Sequence, residues 1–298
     1  GNYVLGSKKI LLSKQYNKKV FHKIYNKTRI SIVHQSKNKE DSTSLAIKSA
    51  AKLKKKYKKK IDALIYVTQS PNQTIPPNGT IIHKKLNLKP DCFVMDIIQG
   101  CSSLPYVMNM TESLLKNNEI NNCLLIFAET YRKYIHNKKN SSFPIFSDAA
   151  SSLYFTKLNF PKLLASIYYT DGSGMDKLCL NNNKYLFMNG PEVFNFTLKN
   201  VPIAVNKLLN KCKLNYEQID YFIFHQASKI VLENIISCLN IPKKKVYFDL
   251  NNIGNTVSNT LPIALINLFK SKKLKNKKVL IMGFGVGYSL SGGIYKFK

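Results

Sequence analysis

Tryptophan is absent from these 298 residues, acidic side chains are scarce, and no apolar run is long. Each shortage narrows what the chain can be. No stretch approaches the roughly 20 consecutive apolar residues that a membrane-spanning helix needs, so no membrane span is expected. The first thirty residues alternate basic and apolar groups (Lys8, Lys9, Lys14, Lys18, Lys19) and lack the apolar core and small-residue cleavage site of a secretory signal. The six cysteines (Cys92, Cys101, Cys123, Cys179, Cys212, Cys238) form no CxxC pair or other close ligand spacing. Most lie in apolar runs, as small core residues do, so no metal site is expected and a reducing cytoplasm is the natural setting.

What is abundant is lysine. Lys and Arg number 46 against 16 Asp and Glu, a formal charge of +30. Lysine, asparagine and isoleucine are enriched together, the pattern of an AT-rich coding sequence, so much of this charge is compositional. Such a field still attracts acidic partners: a carrier protein, the phosphates of coenzyme A, nucleic acid or an anionic membrane surface. The 17 tyrosines and 16 phenylalanines fall mostly in strand-like runs, where core packing accounts for them better than base stacking does, so no specific nucleic-acid binding is expected. Two lysine runs, Lys52–Lys60 and Ser271–Lys278, end helical windows and precede strands. They read as solvated helix ends matched to the helix dipole.

Short apolar runs alternate with helical windows along the chain, which predicts an α/β protein. The predicted strands are Ile61–Thr68, Cys92–Ile97, Cys123–Ala128, Ser151–Thr156, Leu163–Tyr169, Asp220–Phe224, Val246–Leu250, Val279–Phe284 and Gly292–Phe297. The helical windows are Ser42–Lys58, Ser102–Lys116, Val201–Cys212, Ser228–Leu239 and Thr256–Lys273, each with apolar residues at three- and four-residue intervals. A break near Lys157–Lys162 divides the chain into halves of related order, 1–156 and 157–298, each with a strand leading to a candidate reactive residue and then a helix.

In the first half, DIIQGCSS (Asp96–Ser103) runs from a strand through Gly100 to Cys101 at a predicted helix start. Unpaired N–H groups there favour the thiolate and can hold the oxyanion of an attacked thioester. The other five cysteines read as ordinary core residues. In the second half, FIFHQAS (Phe222–Ser228) places His225 just past a strand, where α/β proteins gather reactive groups. The remaining histidines (His22, His34, His83, His136) read as structural or surface groups. NNIGNTVSNT (Asn251–Thr260) sets Asn255 between a glycine turn and a helix, a place where a plain turn or cap is equally ordinary.

Cys, His and Asn together suit acyl chemistry. A thiolate takes the acyl group from a thioester. Two neutral donors, His225 Nε2–H and Asn255 Nδ2–H, can then hold the enolate formed when a malonyl-type thioester loses CO2. The closing segment GFGVGYSLS (Gly283–Ser291) lets backbone N–H groups approach closely. A nucleotide-binding reading of this segment fails on its GxGxG spacing and on the few residues that follow it.

In order along the chain, Lys27–Ile32 (KTRISI), Asp96–Ser103, Phe146–Ala150 (FSDAA), Asn189–Phe196 (NGPEVFNF), His225-Gln226-Ala227, Gly254-Asn255-Thr256 and Gly283–Gly287 resemble the ketoacyl-acyl-carrier-protein synthase III family, condensing enzymes of the thiolase fold. The resemblance implies two βαβαβαββ halves in a five-layer αβαβα sandwich, as a homodimer. It implies Cys101 as the acylated nucleophile, His225 and Asn255 as the decarboxylation pair, and the N–H groups of Cys101 and Val286 as the acyl oxyanion hole. It also implies that Ile75, in Thr74–Pro77 (TIPP), reaches the partner's acyl pocket. No cofactor is implied beyond the substrates, acyl-CoA or acyl-carrier-protein thioesters.

The chain departs from the family in lacking the tryptophan that stacks on the CoA adenine, in carrying Ile230 where an arginine is usual, in reading Cys-Ser-Ser-Leu rather than C-x-G-F, and in its short N-terminus. These departures favour a specialised member over a housekeeping one. Two other readings stay open at this point: acyl transfer to an amine or hydroxyl without loss of CO2, and a non-catalytic partner subunit.

Overall fold

The computed structural model describes residues 1–57, 60–116, 119–271 and 274–298. The strands are β1 (Asn2–Leu5), β2 (Lys8–Leu11), β3 (Ile32–Gln35), β4 (Ala63–Val67), β5 (Phe93–Ile97), β6 (Asn122–Glu129), β7 (Ala149–Thr156), β8 (Lys162–Thr170), β9 (Leu178–Leu180), β10 (Leu186–Met188), β11 (Tyr221–Phe224), β12 (Lys278–Gly285) and β13 (Ser289–Lys296). The helices are α1 (Lys18–Thr28), α2 (Ser42–Tyr57), α3 (Asn78–Lys85), α4 (Ser103–Lys116), α5 (Gly190–Cys212), α6 (Lys229–Leu239) and α7 (Thr260–Lys270).

Two sheets organise the molecule. The first has the order β1-β7-β6-β4-β5, with β4 parallel to both β5 and β6. The second has the order β11-β12-β13-β8, with β11 and β12 parallel. The chain leaves the first sheet at Thr156 and enters the second at Lys162. Strands β4 and β12 read as nearly unbroken apolar runs because both faces of each sheet are covered by helices.

Helices α2 and α3 cover the outer face of the first sheet, where Leu45, Ala46, Ala50 and Leu53 pack on Leu64, Tyr66 and Ile126. Helices α5 and α6 cover the outer face of the second sheet, with Val205, Leu208, Leu232 and Ile235 on Phe222, Leu280 and Ile294. Between the sheets lie α4 and α7. They contribute Leu104, Val107, Leu261 and Leu265 to a shared core with Ile65 and Phe127 on one side and Ile223 and Ile281 on the other. The result is the five-layer α/β sandwich of the thiolase fold.

Most predicted elements form close to their expected limits, with three differences. Val246–Leu250 is not a strand: it makes a single parallel bridge, Phe222 to Val246, because it lies outside the edge strand β11 and turns away after one pairing. The window at Val201 opens eleven residues earlier, at Gly190, where Asn189 accepts the Glu192 N–H as a cap and Pro191 occupies the first turn. The window from Thr256 divides into a tight turn at Val257–Asn259 and α7, because Val257 sits at φ 56° and no α-helix runs through that conformation. In the two lysine runs, Lys58, Lys59, Lys272 and Lys273 lie outside the described residues. Elsewhere in those runs Lys54 bonds Leu86 O and Asn87 O, and Lys277 pairs with Asp220 at 2.9 Å, both local and structural uses.

Candidate active site

The C-terminal ends of the parallel strands converge. Cys101 follows β5 and precedes α4, His225 follows β11, and Gly285 ends β12. Asn255 comes to the same place by backbone pairing across the two halves. Its N–H donates to Ile145 O at 2.9 Å, and its O accepts from Ser147 N–H at 2.8 Å. Cys101, His225 and Asn255 together line one cavity of about 200 Å³, with Phe146, Leu178, Thr197, Phe284 and Gly285.

Glycine is required where β12 passes Cys101. A Cβ at Gly283 would run into Cys101 O and lie 2.6 Å from Ser102 Cα. Gly285 adopts φ 150°, a backbone that favours glycine, and its Cα lies against the thiol: a Cβ there would be 3.6 Å from Sγ. Val286, the next residue, does not line this cavity; it lines a neighbouring one with Gln69, Ile97 and Gln99.

His225 is buried, and burial pushes its pKa down to about 3. The ring is therefore neutral, and its proton must sit on one nitrogen. Nδ1 lies 2.7 Å from Thr260 Oγ1, whereas that hydroxyl lies 3.2 Å from Val257 O. The hydroxyl has one hydrogen for these two acceptors; turned to Nδ1 rather than to Val257 O, it leaves the ring proton on Nε2. Val257 N–H donates to Asn255 Oδ1 at 2.9 Å, which turns the amide so that Nδ2 lies 3.4 Å from His225 Nε2. In that arrangement two neutral N–H donors stand side by side at the cavity.

The thiol departs from the expectation of a stabilised thiolate. Cys101 is buried, and desolvation, then the nearby Glu129 charge, push its pKa well up, with its own backbone N–H as the opposing contribution. Burial outweighs the helix N-terminus because α4 begins two residues later, at Ser103, so Cys101 precedes the first helical turn. Burial thus favours the thiol form of Cys101.

Ile75 does not line this cavity within the chain; it is 87% exposed on the loop between β4 and α3. Ile230 lines the cavity mouth. Two groups escaped the sequence reading: Thr260, which looks like any helix-start residue, and Glu129, whose place at the end of an otherwise apolar strand, NCLLIFAE, was the available signal.

Comparison with known proteins accords with this geometry. Residues 95–172 match the model of 3-oxoacyl-[acyl-carrier-protein (ACP)] synthase III, and residues 209–297 match that of the same enzyme's C-terminal part. The chain belongs to the 3-oxoacyl-[acyl-carrier-protein] synthase III family. Curated synthase III relatives include that of Clostridium novyi, 29% identical over 278 residues, which cover 87% of this chain and 85% of the relative. That of Clostridium tetani is 27% identical, covering 91% and 89%. A crystal structure of a 3-oxoacyl-(acyl-carrier-protein) synthase III superposes with TM-score 0.92 at 26% identity over 99% of this chain and 98% of that one. The Aquifex aeolicus synthase III gives 0.91 at 24% identity over 99% and 98%, which speaks for the fold.

Membership of the synthase III family makes the chain an acyltransferase of the condensing class. Among the described residues no helix is long and apolar enough to cross a membrane.

Proposed function

We propose that the chain catalyses decarboxylative Claisen condensation, joining an acyl group carried on Cys101 to a malonyl-type thioester. The observation that carries this reading is the convergence of Cys101, His225 and Asn255 on one cavity, with the donor faces of the last two side by side.

In the first half-reaction Cys101 Sγ attacks the acyl thioester carbonyl. The developing oxyanion takes hydrogen bonds from the N–H groups of Cys101 and Val286. Collapse expels the donor thiolate, which takes up the proton released from the thiol, so a buried, protonated Cys101 needs no standing charge. In the second half-reaction the malonyl carboxylate leaves as CO2. Negative charge moves to the thioester oxygen, which accepts from His225 Nε2–H and Asn255 Nδ2–H. The enolate carbon attacks the acyl carbonyl, and Cys101 departs as thiolate and is reprotonated, leaving a 3-oxoacyl thioester. Simple transfer to an amine or hydroxyl needs no second donor beside His225, which is why the Asn255 geometry favours condensation.

The thioesters are presented by coenzyme A or an acidic carrier protein, in keeping with the basic chain, and no further cofactor takes part. Ile230 at the mouth and the absence of tryptophan support a specialised acyl donor or acceptor. The halves 1–156 and 157–298 act as the two units of the site, one supplying the nucleophile and the other the donors. The active form is a homodimer: β5 is the outer strand of its sheet, Phe93 and Ile98 beside that edge are exposed, and Ile75 projects outward to reach a partner's acyl pocket.

Release of labelled CO2 from a carboxyl-labelled malonyl thioester tests the reaction. The proposal expects release that depends on Asn255 and on a prior acyl donor. Acyl transfer to an amine without CO2 contradicts it.

A further inference from the structure

Glu129 ends strand β6 with its side chain fully buried. Its carboxylate is held from both halves of the molecule. Oε2 accepts from Ser70 Oγ at 2.8 Å, Oε1 accepts from Ser258 Oγ at 2.7 Å, and Gln69 N–H is shared between the two oxygens at 3.1 and 3.2 Å. Ser70 Oγ in turn accepts from Thr130 N–H at 2.8 Å, which leaves its hydrogen for Glu129.

Each partner leads to the reactive groups. The Gln69 side chain packs so closely on Gly100 that a Cβ there would collide with it, and Gly100 immediately precedes Cys101. Gln69 Oε1 also accepts from Tyr131 OH at 3.2 Å. Ser258 belongs to the turn that carries Asn255 at one end and Thr260, the partner of His225, at the other. That turn contains Val257, a β-branched residue at φ 56°, a conformation that persists only where its neighbours fix it. The fixings are the Ser258 bond to Glu129 and two from the first half to Asn259: Ser151 Oγ donates to its Oδ1 at 2.7 Å, and its Nδ2 donates to Ala149 O at 3.1 Å.

We propose that Glu129 is a positioning residue for condensation: it ties the loop under Cys101 to the turn that orients Asn255 and Thr260. Its charge also opposes ionisation of the thiol. This rests on the assignment of Cys101, His225 and Asn255 above and adds a fourth group that touches no substrate. Lys133 is the cation facing it, and Tyr66, Tyr131, Tyr134 and Cys101 are the other titratable groups around it. Burial raises the Glu129 pKa to about 7, against its hydrogen bonds, so the carboxylate is charged mainly in mildly alkaline solution.

The test separates charge from position. In Glu129→Gln the negative charge acting on the thiol is gone, so alkylation of Cys101 by iodoacetamide at pH 8 to 9 becomes faster, by about three- to fourfold for each pK unit the thiol loses, since a more acidic thiolate is also a weaker nucleophile. The same variant releases CO2 from a malonyl thioester at least tenfold more slowly, because the turn has lost an anchor. Glu129→Asp keeps the charge but retracts it, so alkylation stays at the wild-type rate while turnover falls. A Glu129→Gln protein with the wild-type alkylation profile, or with wild-type turnover, overturns the proposal. If Glu129→Gln does not fold, Ser258→Ala cuts the same tie from the other side. Lower turnover at an unchanged melting temperature supports the proposal, and unchanged turnover overturns it. Alkylation needs no substrate, so this readout stands even where acylation of Cys101 fails.

Discussion

Thr260 Oγ1 lies 2.7 Å from Nδ1 of His225, with both residues buried. One hydroxyl therefore decides which imidazole nitrogen faces the cavity as a donor, and it lies thirty-five residues away, at the start of α7.

Replacing it tests that assignment. Thr260→Val keeps the shape and removes the hydroxyl, leaving Nδ1 without its donor and freeing the ring to exchange tautomers. Decarboxylation should fall by about tenfold or more, the cost of one unmade buried hydrogen bond, while acylation of Cys101 changes little. Burst kinetics with an acyl-CoA, compared with steady-state CO2 release, separate the two steps.

The burial of His225 predicts a pH signature. Its pKa falls from 6.5 to about 3, so between those values the unfolded chain binds a proton that the folded chain does not. Its contribution to stability is complete above pH 6.5 and is lost as pH falls towards 3. Glu129 acts in the opposite sense: raised from 4.5 to about 7, it contributes stability below 4.5 that is lost as pH rises towards 7. Melting temperatures of wild type and His225→Gln between pH 6.5 and 4 should show the shallower acid decline in the variant. The decarboxylation rate should show no imidazole limb between pH 5 and 8.

Gly285 offers a test at the acyl site. Gly285→Ala places a methyl group 3.6 Å from Cys101 Sγ on a backbone at φ 150°, so the chain must shift beside the thiol, immediately before Val286. Acyl-enzyme formation should slow by about tenfold or more, a loss of one to two kcal/mol from oxyanion stabilisation. Stopped-flow acylation measures this. An unchanged rate would remove Val286 N–H from the mechanism.

Much of this site was legible in the sequence because strand-to-loop junctions are. CFVMDI, DYFIF and the closing glycine run each mark where a strand ends, and reactive groups in α/β sheets collect at those ends. The pairing of Cys101 with its state was not legible. A helix start argues for a thiolate, but only the packed structure shows that desolvation and Glu129 outweigh it. Glu129 itself was hidden because its partners, Ser70 and Ser258, lie 59 and 129 residues away, and no local spacing connects them. Val246–Leu250 misled for the reason short apolar runs often do: β-branched and aromatic composition suits a strand, but only a segment that stays alongside its neighbour becomes one, and this one turns away from β11 after a single bridge.

The central claim is that Cys101 carries the acyl group, and peptide mass spectrometry after incubation with a panel of acyl-CoAs and acyl carrier proteins tests it most directly. The account predicts the mass of one acyl group on the peptide containing Cys101, lost in Cys101→Ala and discharged by a malonyl thioester. An acyl group on any other residue, or undiminished turnover in Cys101→Ala, would contradict it.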